Sequence, residues 1–342
     1  MLQRILLIVL IIVFSIQPAL SSESLKKVYI MTSSMGDKII PYVIAKRLGF
    51  YREEGLEIEV VLSRSSVAIQ GLIGGSADYV NHTSSTPAIL RGIPLKVVFI
   101  ESDKPAHYFV ASAKITTFKE LIGKIVAIDD FAGHAALLAR ELLARNEVPL
   151  NKVSLRVLGP PSLRIQGLLS GLVDATMLNY VMTRRAQKEG FRILAYTGDY
   201  VSVAGPSLVT TQKNIKNSPD RIYKTVKATL KGFLVMYQNP KAALKFFMEV
   251  QRLKDVDFAR DAYNARLLRS TDDARDGTAS EKTLKVTIEQ MKRQLKLSGA
   301  ALKVKGPLTP EKVYDFSFVR RANKELKAEG WDPRKYRYIK KK

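Results

Sequence analysis

VLSRSSVAIQGLIGGSAD (61–78) and VLGPPSLRIQGLLSGLVD (157–174) align without a gap at an offset of 96 (157 − 61), and nine of their eighteen residues are identical. The identical pairs are Val61/Val157, Leu62/Leu158, Ser66/Ser162, Ile69/Ile165, Gln70/Gln166, Gly71/Gly167, Leu72/Leu168, Gly75/Gly171 and Asp78/Asp174. Ordinary residue usage gives about one or two matches by chance in such a window. The same offset sets KVYIM (27–31) against GKIVA (123–127) and LKVVFI (95–100) against FRILAY (191–196), where apolar pattern rather than identity matches. The period is far longer than the roughly 20–50 residues of a solenoid. It reads as one α/β lobe written twice, and it predicts two like lobes with a cleft between them.

Reading outward, the first lobe alternates strand and helix. LKKVYIM (25–31) is a buried strand, and 36–51 is an amphipathic helix closed by Gly49. LEIEVV (56–61) is a half-exposed strand, with Leu56, Ile58 and Val60 on one face. A helix at 65–75, a strand at 77–82, a helix with Thr86 as N-cap and Pro87 at its first position, and a strand at 95–100 complete the unit. The second lobe follows HYFVASA (107–113). A capping box at Thr117–Glu120 is followed by a strand at 123–128, a helix at 132–148, a strand at 153–158, the repeated helix and strand, a helix near 180–189 and a strand at 192–197. PSLVTT (206–211) reads as a strand returning to the first lobe. Helices then dominate: 221–239, 241–253, 255–269, 280–298 with a Thr278-to-Glu281 capping box, and 310–329. This alternation predicts mostly parallel sheets flanked by helices. The expected division is a signal segment at 1–22, lobe 1 at 23–106 and 207–310, lobe 2 at 107–206, and a C-terminal helix and basic tail at 311–342. The segments 104–113 and 202–208 are the expected hinge.

The first 22 residues have the pattern of a cleavable export signal: Arg4, the apolar run ILLIVLIIVFSI (5–16) and a small-x-small site at Ala19-Leu20-Ser21. An uncleaved anchor is the competing reading, but the run falls short of the roughly 20 apolar residues a spanning helix needs. The expectation is export to the periplasm, as a monomer. Cysteine is absent, which excludes disulfides, thiol catalysis, Cys-ligated metal and a lipidated N-terminal Cys. The net charge of +23 reads first as a solvated surface, second as attraction to anionic lipid or an acidic membrane partner, and third as nucleic-acid binding, which export argues against. The dense basic stretch RKYRYIKKK (334–342) reads as a frayed end.

In open α/β sheets, ligands bind beyond the carboxyl ends of the strands, against free N–H groups of the helices that follow. Four loops fit. They are Thr32-Ser33-Ser34-Met35-Gly36, Asn81-His82-Thr83-Ser84-Ser85-Thr86, Asp129-Asp130-Phe131-Ala132-Gly133-His134, and Asn179-Tyr180. Any one of them alone reads as helix capping. Four converging by symmetry read as a ligand site, with Ser33-Ser34 facing Asp129-Asp130 by the repeat offset. His134 and His82 are each a ligand donor or a surface histidine. Tyr108 either stacks on a ligand or packs in the hinge. Walker, GxSxG and HExxH motifs are missing, and the three histidines are scattered.

Several strings resemble a known family. In lobe 1 they are Pro41…Ala45…Leu48-Gly49-Phe50-Tyr51…Glu54-Gly55-Leu56, Gly75…Asp78 and Pro87-Ala88…Gly92-Ile93-Pro94-Leu95-Lys96-Val97-Val98. In lobe 2 they are Leu121-Ile122-Gly123-Lys124-Ile125-Val126 and Leu168-Leu169-Ser170-Gly171…Asp174-Ala175. Over about 23–300 the chain resembles the periplasmic substrate-binding proteins of ABC importers, of the nitrate/sulfonate/taurine and thiamine-precursor type. The resemblance implies the type II two-lobed periplasmic-binding fold. It also implies capture of a small polar solute in the interlobe cleft and delivery to an ABC permease, with no catalysis and no cofactor. Family ligand contacts fall here on Ser33, Ser34, Ser84, Ser85, Asp130, Gly133, His134 and Asn179, with Met35, Thr86 and Tyr108 beside them. Two acids at 129 and 130 fit a nitrate- or sulfonate-like anion poorly, which leaves a neutral, zwitterionic or cationic heterocycle open. The alternatives are a sensor that presents ligand without transport, and an enzyme like the thiamine-pyrimidine synthases, whose Cys-rich segment this chain lacks.

Overall fold

The structure, a computed structural model, describes residues 24–82, 85–105, 107–131, 133–201, 203–205, 207–267, 275–304 and 306–340. The 1–22 segment and Ser84 lie outside the described residues. Ten strands form two five-stranded sheets: β1 Lys26–Thr32, β2 Leu56–Leu62, β3 Tyr79–Asn81, β4 Leu95–Ile100, β5 Tyr108–Ala111, β6 Ile125–Ile128, β7 Ser154–Val157, β8 Ala175–Leu178, β9 Arg192–Tyr196 and β10 Ser207–Thr211. The first sheet runs β2-β1-β3-β10-β4 and the second β7-β6-β8-β5-β9. The two orders are the same pattern. The three leading strands are parallel, and the fourth place is taken by an antiparallel strand, β10 in the first sheet and β5 in the second; β10 returns from beyond the second lobe, whereas β5 comes just before the other strands of its own sheet. Each sheet is covered by helices on both faces, as buried parallel strands require. This is the two-lobed binding-protein fold.

Three of the nine identities carry the same structural role in both copies. Asp78 accepts from the Tyr29 N–H at 2.9 Å, and Asp174 accepts from the Ile125 N–H at 2.8 Å, the same bond 96 residues on. Each ties the end of the repeated helix to the lobe's first strand. Gly75 and Gly171 both sit at positive φ, 83° and 72°, just after the repeated helices Ser65–Gly74 and Pro161–Leu169. Leu72 and Leu168 are each 1% exposed and fill equivalent core positions.

Lobe 1 gathers one large core around Phe50, Phe99, Phe233, Phe246 and Phe247, to which the C-terminal helices contribute Val319, Ala322 and Leu326. In lobe 2 the two faces of the sheet carry separate clusters. The long helix Pro219–Gln238 crosses Ile40–Arg47 at Gly232, where a Cβ would fall on the Pro41 carbonyl oxygen and lie 2.8 Å from the Ala45 Cβ. Gly232→Ala therefore has to push two helices apart, and should cost about 1–3 kcal/mol by urea unfolding.

Several local expectations fail for physical reasons. The 36–51 helix is three pieces: a 3-10 turn Asp37–Ile39, Ile40–Arg47 and Phe50–Glu53. The left-handed Gly49, at φ 85°, turns the chain between the last two. Thr86 lies inside the Ser85–Leu90 helix rather than capping it. Ser280, accepting from the Thr283 N–H at 3.3 Å, caps the Glu281–Leu297 helix in place of Thr278, which is bonded to Asp276. The 310–329 span breaks into Pro310–Val313 and Ser317–Ala328. The tail is not frayed. Tyr336 packs edge-on against Phe50, and the Tyr338 hydroxyl donates to Glu249 at 2.8 Å. The Ile339 carbonyl accepts from Arg47 at 3.0 Å. Its aromatic residues, unread beside the lysines, hold it to lobe 1.

Candidate functional site

The lobes meet over a cavity of about 90 Å³ lined by Ser33, Ser34, Asp37, Lys38 and His82 from lobe 1, by His107, Asp129, His134, Arg164 and Asn179 from lobe 2, and by Ser102, Lys104, Pro105, Val203 and Gly205 of the crossing segments. Two side chains hold its floor. Lys38 Nζ donates to Ser33 Oγ at 2.7 Å and to the Asn81 carbonyl at 3.2 Å. Burial pushes its ammonium down to about 8, against the pull of Glu101, Asp37 and Asp129. Across the cleft stands His134, the repeat-equivalent of Lys38 (38 + 96 = 134). Burial first, and Lys38 second, hold its imidazole down at about 3, so it is neutral at pH 7. His82 is lowered for the same reasons; its Nδ1 pairs with Ser65 Oγ at 3.0 Å.

Arg164 is 2% exposed, on the repeated helix of lobe 2. It donates from Nε to the Gly159 carbonyl at 3.1 Å and from Nη1 to the Met177 carbonyl. Behind the lobe 1 wall, Glu101 accepts from Arg266 Nη2 at 3.1 Å, Tyr42 Oη at 2.9 Å and Asn81 Nδ2 at 2.6 Å. Burial raises its carboxyl to about 7 in spite of these partners. Arg266 also lines the cavity. Among the described residues its Nη1, the His82 Nε2 and the His134 Nδ1 are buried without a hydrogen-bond partner. An acceptor-rich guest would satisfy the Arg266 Nη1 donor, and each imidazole nitrogen in the tautomer that carries its proton there.

Of the residues expected from sequence, Ser33, Ser34, His134 and Asn179 converge on this cavity. Asn179 caps the Tyr180–Lys188 helix through Oδ1, at 3.0 Å from the Met182 N–H, which leaves its amide NH₂ turned toward Gly36 of lobe 1. The others do not line it. Met35 points to solvent. Ser85 and Thr86 are buried within the lobe 1 helix. Tyr108 is packed between Tyr180 and Tyr196. Gly133 gives space rather than contact, because a Cβ there would fall on the Asp129 carboxylate. Asp130 instead bridges the lobes outside the cavity, accepting from Ser66 Oγ at 2.6 Å. The neighbouring Asp129 does line the cavity, but its oxygens already serve the helix start, 3.4 and 3.3 Å from the Ala135 and Ala136 N–H groups. The two acids therefore do not count against an anion: Asp130 is turned to Ser66 and Asp129 serves a helix start.

Lys38, Arg164 and Arg266 were not read as site residues, yet two carried a signal. A lysine in the first turn of a helix opposes the helix dipole. The repeat alignment also sets Arg164 against Ala68, a residue with no exposure at all, so a cation stands where the copy has core. Breaks in local rules of this kind mark functional positions. Arg266 comes from the Val256–Leu267 helix, 165 residues after Glu101, and no local pattern points to it.

Two like lobes meeting over a buried polar cavity are the architecture of the two-lobed periplasmic-binding fold. The sequence profile of the NMT1/THI5-like family matches residues 37–243, and the chain belongs to that family. No curated protein matches it by sequence. Solved structures share its fold. A protein of Bordetella bronchiseptica RB50 aligns with TM-score 0.74 and 19% identity, over 89% of this chain and 99% of its own. The alkanesulfonate-binding protein SsuA of Xanthomonas axonopodis pv. citri, bound to MOPS, aligns with TM-score 0.66 and 16% identity over 84% and 98%. The periplasmic nitrate-binding protein NrtA of Synechocystis PCC 6803 aligns with TM-score 0.66 and 12% identity over 91% and 92%. The fold also serves a desulfurization enzyme, DSZB, at TM-score 0.59 and 13% identity over 88% and 99%, so fold alone does not separate binding from catalysis.

Proposed function

We propose that this is an exported, non-catalytic solute-binding protein of the periplasm. It takes a small anionic, acceptor-rich solute into the interlobe cavity and delivers it to an ABC permease. The observation that carries the reading is Lys38: a buried cation on the cavity floor, facing a second wall that supplies Arg164 and neutral His134. Cations outnumber carboxylates there: Lys38, Lys104, Arg164 and Arg266 line the cavity against Asp37 and Asp129, and Asp129 already serves a helix start. The sulfonate and nitrate specificities of SsuA and NrtA support the same chemistry. Binding should raise the melting temperature by several degrees at high saturation. MOPS, taurine and nitrate are the probes, and a screen in which none of them shifts the melting curve would count against the reading.

The pH dependence follows from Lys38. Its charge is present below about pH 8 and is lost as the pH rises through that value. Affinity for MOPS, measured by calorimetry, should therefore fall above pH 8, with the midpoint displaced upward by the bound anion. In Lys38→Arg the fall should be absent, because guanidinium stays protonated.

A further inference from the structure

The positive charge of the chain is not spread evenly. Residues 207–342 hold 32 Lys and Arg against 15 Asp and Glu, a net of +17 (32 − 15). The 206 residues before them account for only +6 of the +23 (23 − 17). An asymmetry of this size between two parts of a chain points to an anionic partner.

Three elements bring the excess together on lobe 1. On the Ser317–Ala328 helix, Arg320, Lys324 and Lys327 are spaced i, i+4 and i+7, which sets them in one exposed stripe. The chain then turns at Trp331 and Pro333 and runs on as the tail, whose Lys335, Arg337 and Lys340 are exposed. The tail is laid along the Pro240–Gln251 helix. Asn239 Nδ2 donates to the Pro333 and Tyr336 carbonyls at 3.0 and 2.9 Å, and Tyr338 packs on Phe246 with ring centroids 4.8 Å apart. Beside those contacts Lys241 and Lys245 stand exposed, one turn apart. The three form one continuous basic band.

The carboxylates of this region are consumed within it. Glu325 is bonded to Tyr223, Arg321 and Lys227, Glu329 to Lys227, Asp332 to Arg334, and Glu249 to Arg47 and Tyr338. The cations are left over. Among the described residues no ion pair is seen for Lys241, Lys245, Lys324, Lys327, Arg337 or Lys340. None of them lines the interlobe cavity, so solute binding does not account for the band.

The aromatic residues decide which kind of anion fits. A single-stranded nucleic acid needs open rings on which its bases stack. Here the rings are occupied: Tyr336 lies against Phe50 and Trp331, and Tyr338 against Phe246. The large side chain left exposed among the cations is aliphatic, Ile339 at 50%. Cations around an apolar side chain suit the boundary between phosphate headgroups and acyl chains.

We propose that this band binds the surface of an anionic phospholipid membrane, reversibly and by charge. The contact is independent of what the cleft holds.

Vesicle flotation with the purified protein tests it. The protein should float with vesicles containing phosphatidylglycerol and not with vesicles of phosphatidylcholine alone. Salt at about 1 M, which cuts the reach of a charge to about 3 Å, should release it. Lys241→Glu, Lys245→Glu, Lys324→Glu and Lys327→Glu together should weaken binding by about a hundredfold or more, since each lysine near such a surface contributes about fivefold. Their far-ultraviolet circular dichroism should match the wild type. Lys114→Glu, Lys119→Glu, Lys124→Glu and Lys152→Glu, four exposed lysines of lobe 2, change the net charge equally and should leave binding within a few-fold. Equal losses in the two variants, or equal binding to both kinds of vesicle, would overturn the proposal. So would release by free glycerophosphate at the phosphate concentration of the vesicles, or tighter binding to single-stranded DNA than to vesicles at equal phosphate.

Discussion

Arg266→Met lowers the melting temperature by about 10 °C, because removing one partner of a buried ion pair costs roughly 3–5 kcal/mol and each kcal/mol moves a protein of this size by about 2–4 °C. The pair is fully enclosed: Arg266 is 1% exposed and Glu101 not at all. The variant leaves Glu101 buried beside Tyr42 and Asn81 without its guanidinium partner. Glu101→Gln combined with Arg266→Met should recover much of the loss, since glutamine still accepts from both and no charge is stranded. A double-mutant cycle read by calorimetry checks the coupling. The pH dependence separates Glu101 from its surroundings. Its folded carboxyl titrates near 7, above its ordinary 4.5, so its contribution to stability is present below about pH 4.5 and is lost as the pH rises to 7. His134 works in the opposite sense. Its depressed value means that stability is gained as the pH rises from about 3 to the ordinary histidine value of 6.5. The difference between wild type and Glu101→Gln isolates the first of these. If it is flat between pH 4.5 and 7, the assigned shift is wrong.

Lys38→Met raises the Kd for MOPS by about 30- to 1,000-fold, the equivalent of the roughly 2–4 kcal/mol lost when a buried charged contact is truncated. The free protein should not be weakened. Burial lowers the Lys38 ammonium to about 8, so its charge opposes folding at neutral pH. Stability of the wild type should rise between about pH 8 and 10.5, where the unfolded chain holds a proton the folded one has shed. That rise should vanish in the variant. A site that costs stability is the ordinary condition of a binding cavity. Full MOPS affinity in Lys38→Met would remove Lys38 from the site.

Much of the architecture could be read from the chain because it is written in short-range patterns. The Asp78/Asp174 and Gly75/Gly171 identities each encode a local event, a strand tie and a left-handed cap, and so they appear at one offset. The apolar period runs unbroken through 36–51 and 310–329, whereas the backbone does not: the left-handed Gly49 turns the chain in the first, and the second is interrupted between Val313 and Ser317. The site was legible only in part. Ser33, Ser34, His134 and Asn179 sit where strand-end logic places them. Asp130 and Met35 share those loops but face away, and loop register does not fix side-chain direction. Arg266 reaches the cavity from a helix built far along the chain, a pairing that no window of sequence contains.

The antiparallel fourth strand has a consequence for how the molecule is made. All five strands of the second sheet lie between Tyr108 and Tyr196, so that half of the molecule can assemble from one uninterrupted stretch as the chain emerges. The first sheet cannot. β10 must enter between β3 and β4, more than a hundred residues after both have been produced. Until then their inner edges stand open, in the manner that invites mispairing and delays folding. A chain stopped near residue 205 would thus deliver a complete second lobe attached to an unfinished first one.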